Sequence, residues 1–356
     1  MLTNKSVALS VVAVLVLPPC YAAAGENPAA APKNSATPAQ SAAPTKASAG
    51  WKQSRTPWGD PDLQGTWPIS NLMTVPLQRP AQYGERLEFT PEELAQQRKA
   101  AEAQNQGYKK EEAARKLGMG HWVEESDVPA QTSLIVDPPN GQLPAQTPAG
   151  KEMSSKMGSD WNREVFDTVA DFGTWNRCIT RGLPEGMFPN PYNNGIQIVQ
   201  APGYVVINME MIHEARVVPL RNMPALDGEV QQWLGSSRGH WEGTTLVVET
   251  RNFNGQTSMT DVPTRGTPKD PRASSTQMQL VERFERTNKD HLTYTVKVID
   301  PVTQTASWTA RLPWKLDNGY EIYEYACHED NEAVRNYIVT SRYRRAHEVA
   351  KPAESK

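Results

Sequence analysis

Hydrophobic and polar residues alternate in short runs from Asn193 almost to the C-terminus, and turn-forming residues separate the runs. Such alternation is typical of half-buried β-strands. One run places two sets of side chains on opposite faces: Leu280, Glu282 and Phe284, and Val281, Arg283 and Glu285. Strands are predicted in the segments GIQIVQ, YVVINMEM, HEARVVPL, HWEGTTLVVET, QMQLVERFER, LTYTVKVID, ASWTARLPWKL and YEIYEYACHE.

The connections between these predicted strands are short, which favours an antiparallel meander. About eight such strands form either a sandwich or a barrel, and a barrel removes exposed sheet edges while holding one small ligand at its mouth. We therefore expect a mainly β protein whose antiparallel meander closes into a barrel over residues 193–345.

Residues 51–192 contain many prolines and little periodicity, which indicates an irregular arm wrapped over the barrel. Residues 91–106 are the exception and are predicted to form a helix. Thr90 is expected to cap its N-terminus, and Pro91 suits its first position because no N–H is needed there.

The two ends of the chain differ from its middle. Residues 1–24 have the order of a secretory signal peptide: Lys5, an apolar run, and small residues near the cleavage point. A lipoprotein anchored through Cys20 is the alternative, which the two preceding prolines disfavour. Residues 25–50 and 346–356 are expected to be disordered. The signal peptide predicts export, and no apolar run is long enough to span a membrane. We therefore expect a periplasmic or secreted protein.

The net charge of the chain argues against one class of partner, and its cysteines predict a disulfide. The formal net charge of -3 offers no basic stripe for nucleic acid. With Cys20 removed in the signal peptide, Cys178 and Cys327 remain, and a lone pair in an oxidising compartment is expected to form a disulfide. It would close a long loop, worth roughly 4 to 5 kcal/mol, and place WNRCITRGLP against the strand ending in EYACHEDN.

Three histidines lie beside acidic residues in predicted strands. His213 precedes Glu214, His240 shares a strand face with Glu242, and His328 lies in the final strand. A continuous strand over NMEMIHEARVVPL would place His213 in an apolar row with Met209, Met211, Ala215 and Val217.

These histidines suit two kinds of chemistry. One is acid-base catalysis, with His213 and His240 as the acid-base groups and Glu214 and Glu242 orienting them. The other is a divalent zinc or iron ion held by the imidazoles, although metal-ligand spacings such as H-E-x-x-H are missing from the sequence. For any single histidine, the alternative is a rim residue bonded to a neighbouring glutamate. No other cofactor is implied.

Several further polar residues suit substrate recognition, because arginine binds carboxylates while asparagine and tyrosine bind hydroxyl groups. The two asparagines among them fit a turn before a strand equally well. The predicted substrate-binding residues are Arg177, Arg181, Tyr192, Asn193, Asn194, Arg216 and His328.

Several motifs in order, TPWGDPDLQGTW, WNRCITRGLP, SRGHWEG and YEYACHE, resemble a family of exported bacterial β-rich proteins with no established reaction. The resemblance covers most of residues 51–328 and implies export, but no activity. The barrel half is also similar to lipocalins, and GTW at residues 65–67 resembles their G-x-W motif. That second resemblance implies a calycin-like barrel.

The sequence thus predicts an exported enzyme that acts on a small or oligomeric organic substrate, a glycan or an aromatic compound. Cofactor-free lyase or hydrolase chemistry by His and Glu groups is the expected mechanism. Two alternatives stay open: a periplasmic module that binds a hydrophobic or glycan ligand, and a metal-dependent lyase or hydrolase.

Overall fold

The computed structural model describes residues 50–116, 118, 123–124, 128–158, 163–220, 226–260 and 271–347. The predicted signal peptide and nearly all of the predicted linker and C-terminal tail lie outside these residues. Within the part of the chain described, no helix is both long and apolar enough to cross a membrane.

The described residues contain three α-helices, one of which the sequence predicts. Helix α1 spans Pro91–Ala113, and its N-terminus confirms the prediction: the Thr90 hydroxyl accepts from Glu93 N–H while the Glu93 carboxylate accepts from Thr90 N–H. The helix extends past the predicted end at residue 106. The two unpredicted helices are α2, Pro148–Lys156, and α3, Ala333–His347.

In the part of the chain that the structure describes, ten strands form two antiparallel sheets. The four-stranded sheet has the order β1-β3-β4-β5, and the six-stranded sheet has the order β2-β10-β9-β8-β7-β6. The strands of the first sheet are β1 Gly65–Thr66, β3 Ile196–Ala201, β4 Tyr204–Met209 and β5 Glu214–Pro219. The strands of the second are β2 Ile135–Asp137, β6 Ser236–Glu242, β7 Thr245–Arg251, β8 Gln279–Arg286, β9 His291–Ile299 and β10 Trp308–Lys315.

The two sheets share one hydrophobic core. Ile198 and Ile207 enter it from the first sheet, and Phe284 and Tyr294 from the second. In β8 the predicted alternation is confirmed, because Leu280, Glu282 and Phe284 are buried while the intervening side chains are partly exposed. A mainly β fold is therefore confirmed.

The expected closed barrel does not form. Strands β5 and β6 lie beside each other but belong to different sheets, so each is an edge strand. The last predicted strand, YEIYEYACHE, is also wrong: residues 316–332 contain no strand. Backbone N–H groups in this segment bond to side chains of Glu210 and His213 instead of a neighbouring strand. Helix α3 occupies the end of the region predicted as barrel.

The continuous strand predicted over NMEMIHEARVVPL is wrong as well. The chain turns between β4 and β5, with Met209 paired to Glu214 and with positive φ angles at Ile212 and His213. Because of this turn, the side chains of β5 that point into the core are those that a continuous strand would place on its other face. Arg216 is consequently buried, and Val217, which the sequence places in the apolar row, is 58 % exposed.

Candidate functional site

A cavity of about 350 Å³ lies between the end of α2 and the loop that follows Phe172. Its apolar lining includes Met153, Met157, Phe172 and Trp175, and Gln256 and Ser258 border it from another loop. Its charged lining residues are Lys156, Arg177, Arg181 and Glu185. Two residues predicted to bind substrate, Arg177 and Arg181, thus lie together at one cavity.

Arg181 is held rigidly within this cavity. Its side chain is buried, its guanidinium lies 4.4 Å from the centre of the Trp175 ring, and its Nη2 lies 3.4 Å from Glu185 Oε1. Cation-π stacking and the buried carboxylate together fix the plane of the guanidinium. Arg177 and Lys156 add two further cations to the lining, and Lys156 Nζ lies 2.7 Å from Glu152 Oε1.

The predicted disulfide is confirmed, and one of its cysteines is next in sequence to a lining residue of the cavity. Cys178 and Cys327 are bonded, with an S–S distance of 2.04 Å and a Cα–Cα distance of 5.6 Å. Cys178 is the residue after Arg177. The bond joins the cavity loop to residues 316–332, and Asn331 Nδ2 adds a hydrogen bond to Asn176 O at 2.9 Å. Trp175 Nε1 also donates to the Tyr325 hydroxyl at 3.0 Å.

The β4–β5 turn holds residues 316–332 from the other side. The buried Glu210 carboxylate accepts from Tyr323 N–H at 3.1 Å and from the Tyr320 hydroxyl at 2.7 Å. His213 Nε2 accepts from Tyr325 N–H at 2.6 Å. Because this ring nitrogen already accepts a backbone hydrogen bond, His213 acts as an anchor of residues 316–332.

Asn193 and Asn194 serve the same anchoring network. Asn193 Nδ2 donates to Glu210 Oε1 at 3.0 Å, and Asn194 N–H donates to Glu124 Oε1 at 3.1 Å. Burial raises the pKa of Glu124, and the nearby Glu210 carboxylate raises it further. The Tyr320 hydroxyl oxygen lies 3.1 Å from Glu124 Oε1, which puts one phenol between two acids. These asparagines therefore act as turn residues, the alternative that the sequence left open.

Glu214 and Tyr192 lie near the cavity loop without lining the cavity. Arg181 N–H donates to Glu214 Oε2 at 3.2 Å, and burial raises the pKa of this carboxyl group. Burial and the neighbouring Tyr325 raise the pKa of Tyr192. Glu214 also borders a separate groove of about 720 Å³ beside β5 and β6.

His240 and Glu242 lie elsewhere, on the exposed surface of β6. His240 Nε2 is 3.4 Å from Glu242 Oε1, and Arg283 Nη1 donates to the other Glu242 oxygen at 2.8 Å. The pKa of Glu242 is lowered because Arg283 stabilises its charged form.

The structure separates His213 from His240. Arg216 of β5 bonds to Ser237 of β6, and a Cβ at Gly239 would touch Val218 and Leu220, so the two strands advance in the same direction. His213 precedes β5 and His240 is near the far end of β6. At about 3.3 Å per residue, the two imidazoles are offset by roughly 20 Å. His213 and His240 therefore do not meet at one site as the predicted catalytic pair requires, and His328 is an exposed residue of the 316–332 segment.

Arg216, predicted to bind substrate, is instead part of a buried ion pair. Its Nη1 donates to Glu282 Oε1 at 2.8 Å and its Nη2 to Glu282 Oε2 at 2.5 Å. Burial lowers the pKa of Arg216, but the charge of Glu282, its hydrogen bonds and the smaller effects of Tyr294 and Glu214 together raise the pKa overall. Arg216 is also a lining residue of the groove beside β5 and β6, but Glu282 neutralises its charge because the reversed face of β5 directs this side chain inward.

Sequence reasoning missed Trp175, Glu185, Phe172 and Lys156 as cavity residues. Glu185 follows Arg181 by four residues, which was a usable signal for an ion pair. Lys156 has no such signal, because α2 reaches the cavity only through long-range packing.

Across the described residues, no group of three or more His, Cys, Asp or Glu side chains is arranged to hold a metal ion. Comparison with protein-family models, with curated proteins and with solved structures found no match to this chain. The resemblances to an exported bacterial family and to calycins therefore stay predictions.

Proposed function

We propose that this protein is an exported ligand-binding module whose cavity takes a small molecule with an anionic group attached to an aromatic or aliphatic portion. The observation that carries the proposal is the composition of the cavity lining. The cationic side chains of Arg177 and Lys156 lie in one lining with Phe172, Trp175 and two methionines.

The size of the cavity fits this class of ligand. About 350 Å³ is at the lower end of the range for small-molecule sites. A carboxylate suits the guanidinium of Arg177, because two parallel N–H groups can bond to its two oxygens. Arg181, already oriented by Glu185 and stacked on Trp175, would fix the position of the aromatic wall.

Binding fits the geometry better than acid-base catalysis. His213 bonds to a backbone N–H outside the cavity lining, and His240 lies on an exposed strand surface. Neither histidine is a lining residue of the cavity. A lyase or hydrolase that uses both would need them at one substrate.

Isothermal titration calorimetry with paired probes tests the proposal. The probes are 4-hydroxybenzoate and phenylacetate, each compared with its neutral amide. We expect the carboxylates to bind more tightly than the amides, and Arg177→Gln to weaken carboxylate binding about tenfold, since it removes a hydrogen bond to a charged group. Arg335→Gln, on the exposed surface of α3, is the matched control and should bind as the wild type does.

Two results would contradict the proposal. One is that no carboxylate binds, or that carboxylate and amide bind equally. The other is turnover of a probe that His213→Ala abolishes while probe affinity is unchanged, because that result would establish catalysis.

A further inference from the structure

A second groove, of about 730 Å³, lies between residues 163–166 and α3. One row of α3 side chains borders it at a spacing of four residues, which aligns them on one helix face: Asn336, Thr340 and Arg344. Tyr337 borders it from the adjacent row, and Arg163, Glu164 and Phe166 form the opposite wall. None of these residues lines the cavity described above.

The charge of α3 is unlike that of the chain as a whole. Residues 333–347 carry arginines at 335, 342, 344 and 345 and no acidic residue, while the chain has a formal net charge of -3. Two of the groove arginines are paired: Arg163 with Asp171 at 2.8 Å, and Arg345 with Asp167. The Arg344 side chain has no ion pair or hydrogen bond to any residue that the structure describes, so its positive charge is available to a ligand, and Glu164 is an acidic residue of the same lining.

An aromatic ring lies on the same stretch of helix. Tyr337 packs edge-on against Phe166 and Phe172, with centroids 5.5 and 6.1 Å away, yet the residue is 57 % exposed. The two contacts orient the ring while leaving much of it open to solvent. The helix dipole explains cations in the last turn of α3. It does not explain an oriented ring and the polar groups of Asn336 and Thr340 in line with Arg344.

We infer that this groove is a second binding site, which takes a sugar bearing an oxyanion, as a phosphate or sulfate ester. The Arg344 guanidinium binds the ester group through paired N–H donors. The Asn336 amide and the Thr340 hydroxyl bond to sugar hydroxyl groups, and the sugar ring lies against Tyr337. The inference is independent of the proposed function because none of the residues that would bind the sugar ester lines the cavity.

The test measures binding of fluorescein-labelled dextran sulfate oligomers to the full chain by fluorescence anisotropy. Uncharged dextran and inorganic sulfate serve as competitors. Arg344→Gln removes the free cation, Tyr337→Leu keeps an apolar side chain but removes the ring, and Arg335→Gln removes an arginine of α3 outside the groove. We expect about tenfold weaker binding for Arg344→Gln, weaker binding for Tyr337→Leu, and an unchanged Kd for Arg335→Gln.

Three results would overturn the inference. Competition by inorganic sulfate as strong as that by dextran sulfate would show an anion site without sugar recognition and overturn the inference. Equal losses for Arg335→Gln and Arg344→Gln would show unspecific attraction, and no binding by the wild type would also overturn it. Carboxylate binding in the cavity should be the same in Arg344→Gln, so failure here leaves the proposed function standing.

Discussion

Breaking the ion pair between Arg216 and Glu282 by removing one partner should strongly destabilise the fold. Arg216 belongs to β5 of the first sheet, and Glu282 to β8 of the second. Arg216 Nη2 also donates to Ser237 and Thr250 at 3.2 Å each, and the Tyr294 hydroxyl donates to Glu282 at 2.8 Å. One guanidinium therefore joins the two sheets where their backbones do not pair.

The expected magnitude follows from burial. The Arg216 side chain is 2 % exposed and that of Glu282 is 0 %. Arg216→Met fills similar volume but leaves the Glu282 charge without a cation, which costs about 3 to 5 kcal/mol for a buried pair. Glu282→Met leaves the guanidinium with two hydroxyl partners and should cost a similar amount. The double variant removes both charges together and should be far less destabilised than the sum of the single variants.

Urea unfolding followed by circular dichroism gives the free energies of unfolding for this double-mutant cycle. The reasoning predicts an interaction energy of several kcal/mol between the two positions. A loss below about 1 kcal/mol for Arg216→Met, or additive losses in the double variant, would refute it. Arg283→Met, which breaks an exposed pair with Glu242 on the same sheet, is the control and should cost at most about 1 kcal/mol.

Three other variants probe the anchoring of the site and the histidines. Removing the disulfide as Cys178→Ala/Cys327→Ala should lower the free energy of unfolding by up to about 5 kcal/mol, since the bond spans 149 residues. The same variant should bind carboxylates more weakly. An unchanged thermal unfolding temperature would contradict the predicted loss of stability. Glu124 has a raised pKa in the folded chain, so the stability that its protonation contributes is present below pH 4.5 and is lost as the pH rises through the folded pKa. The free energy of unfolding should therefore depend less steeply on pH in Glu124→Gln. An identical slope in the wild type and the variant would exclude this role. His240→Ala should change the unfolding free energy by less than about 0.5 kcal/mol and leave probe affinity unchanged, and a large effect on affinity would return His240 to the site.

Features set by local pattern could be predicted from the sequence. Strand β8 alternates because one face is buried, and the cap at Thr90 depends on residues three positions apart. The disulfide was predictable from the small number of cysteines in a chain whose sequence predicts export. Each of these inferences uses residue type together with spacing or count.

The errors have physical causes that local pattern does not record. The turn between β4 and β5 places Ile212, a β-branched residue, at φ 61°, where turn-forming residues are usually expected. Missing that turn reversed the faces of β5 and made Arg216 look exposed. The segment 316–332 resembles a strand in composition, but Glu210 and His213 accept its N–H groups. The cavity depends on α2 meeting the Trp175 loop, a long-range contact.

The most direct test of the account is a crystal structure of the protein with the tightest-binding carboxylate of the probe set. The account predicts the carboxylate within hydrogen-bond distance of the Arg177 guanidinium and the hydrophobic portion against Phe172 and Trp175. A ligand bound in the groove beside β5 and β6, or against His240, with the cavity empty, would contradict it.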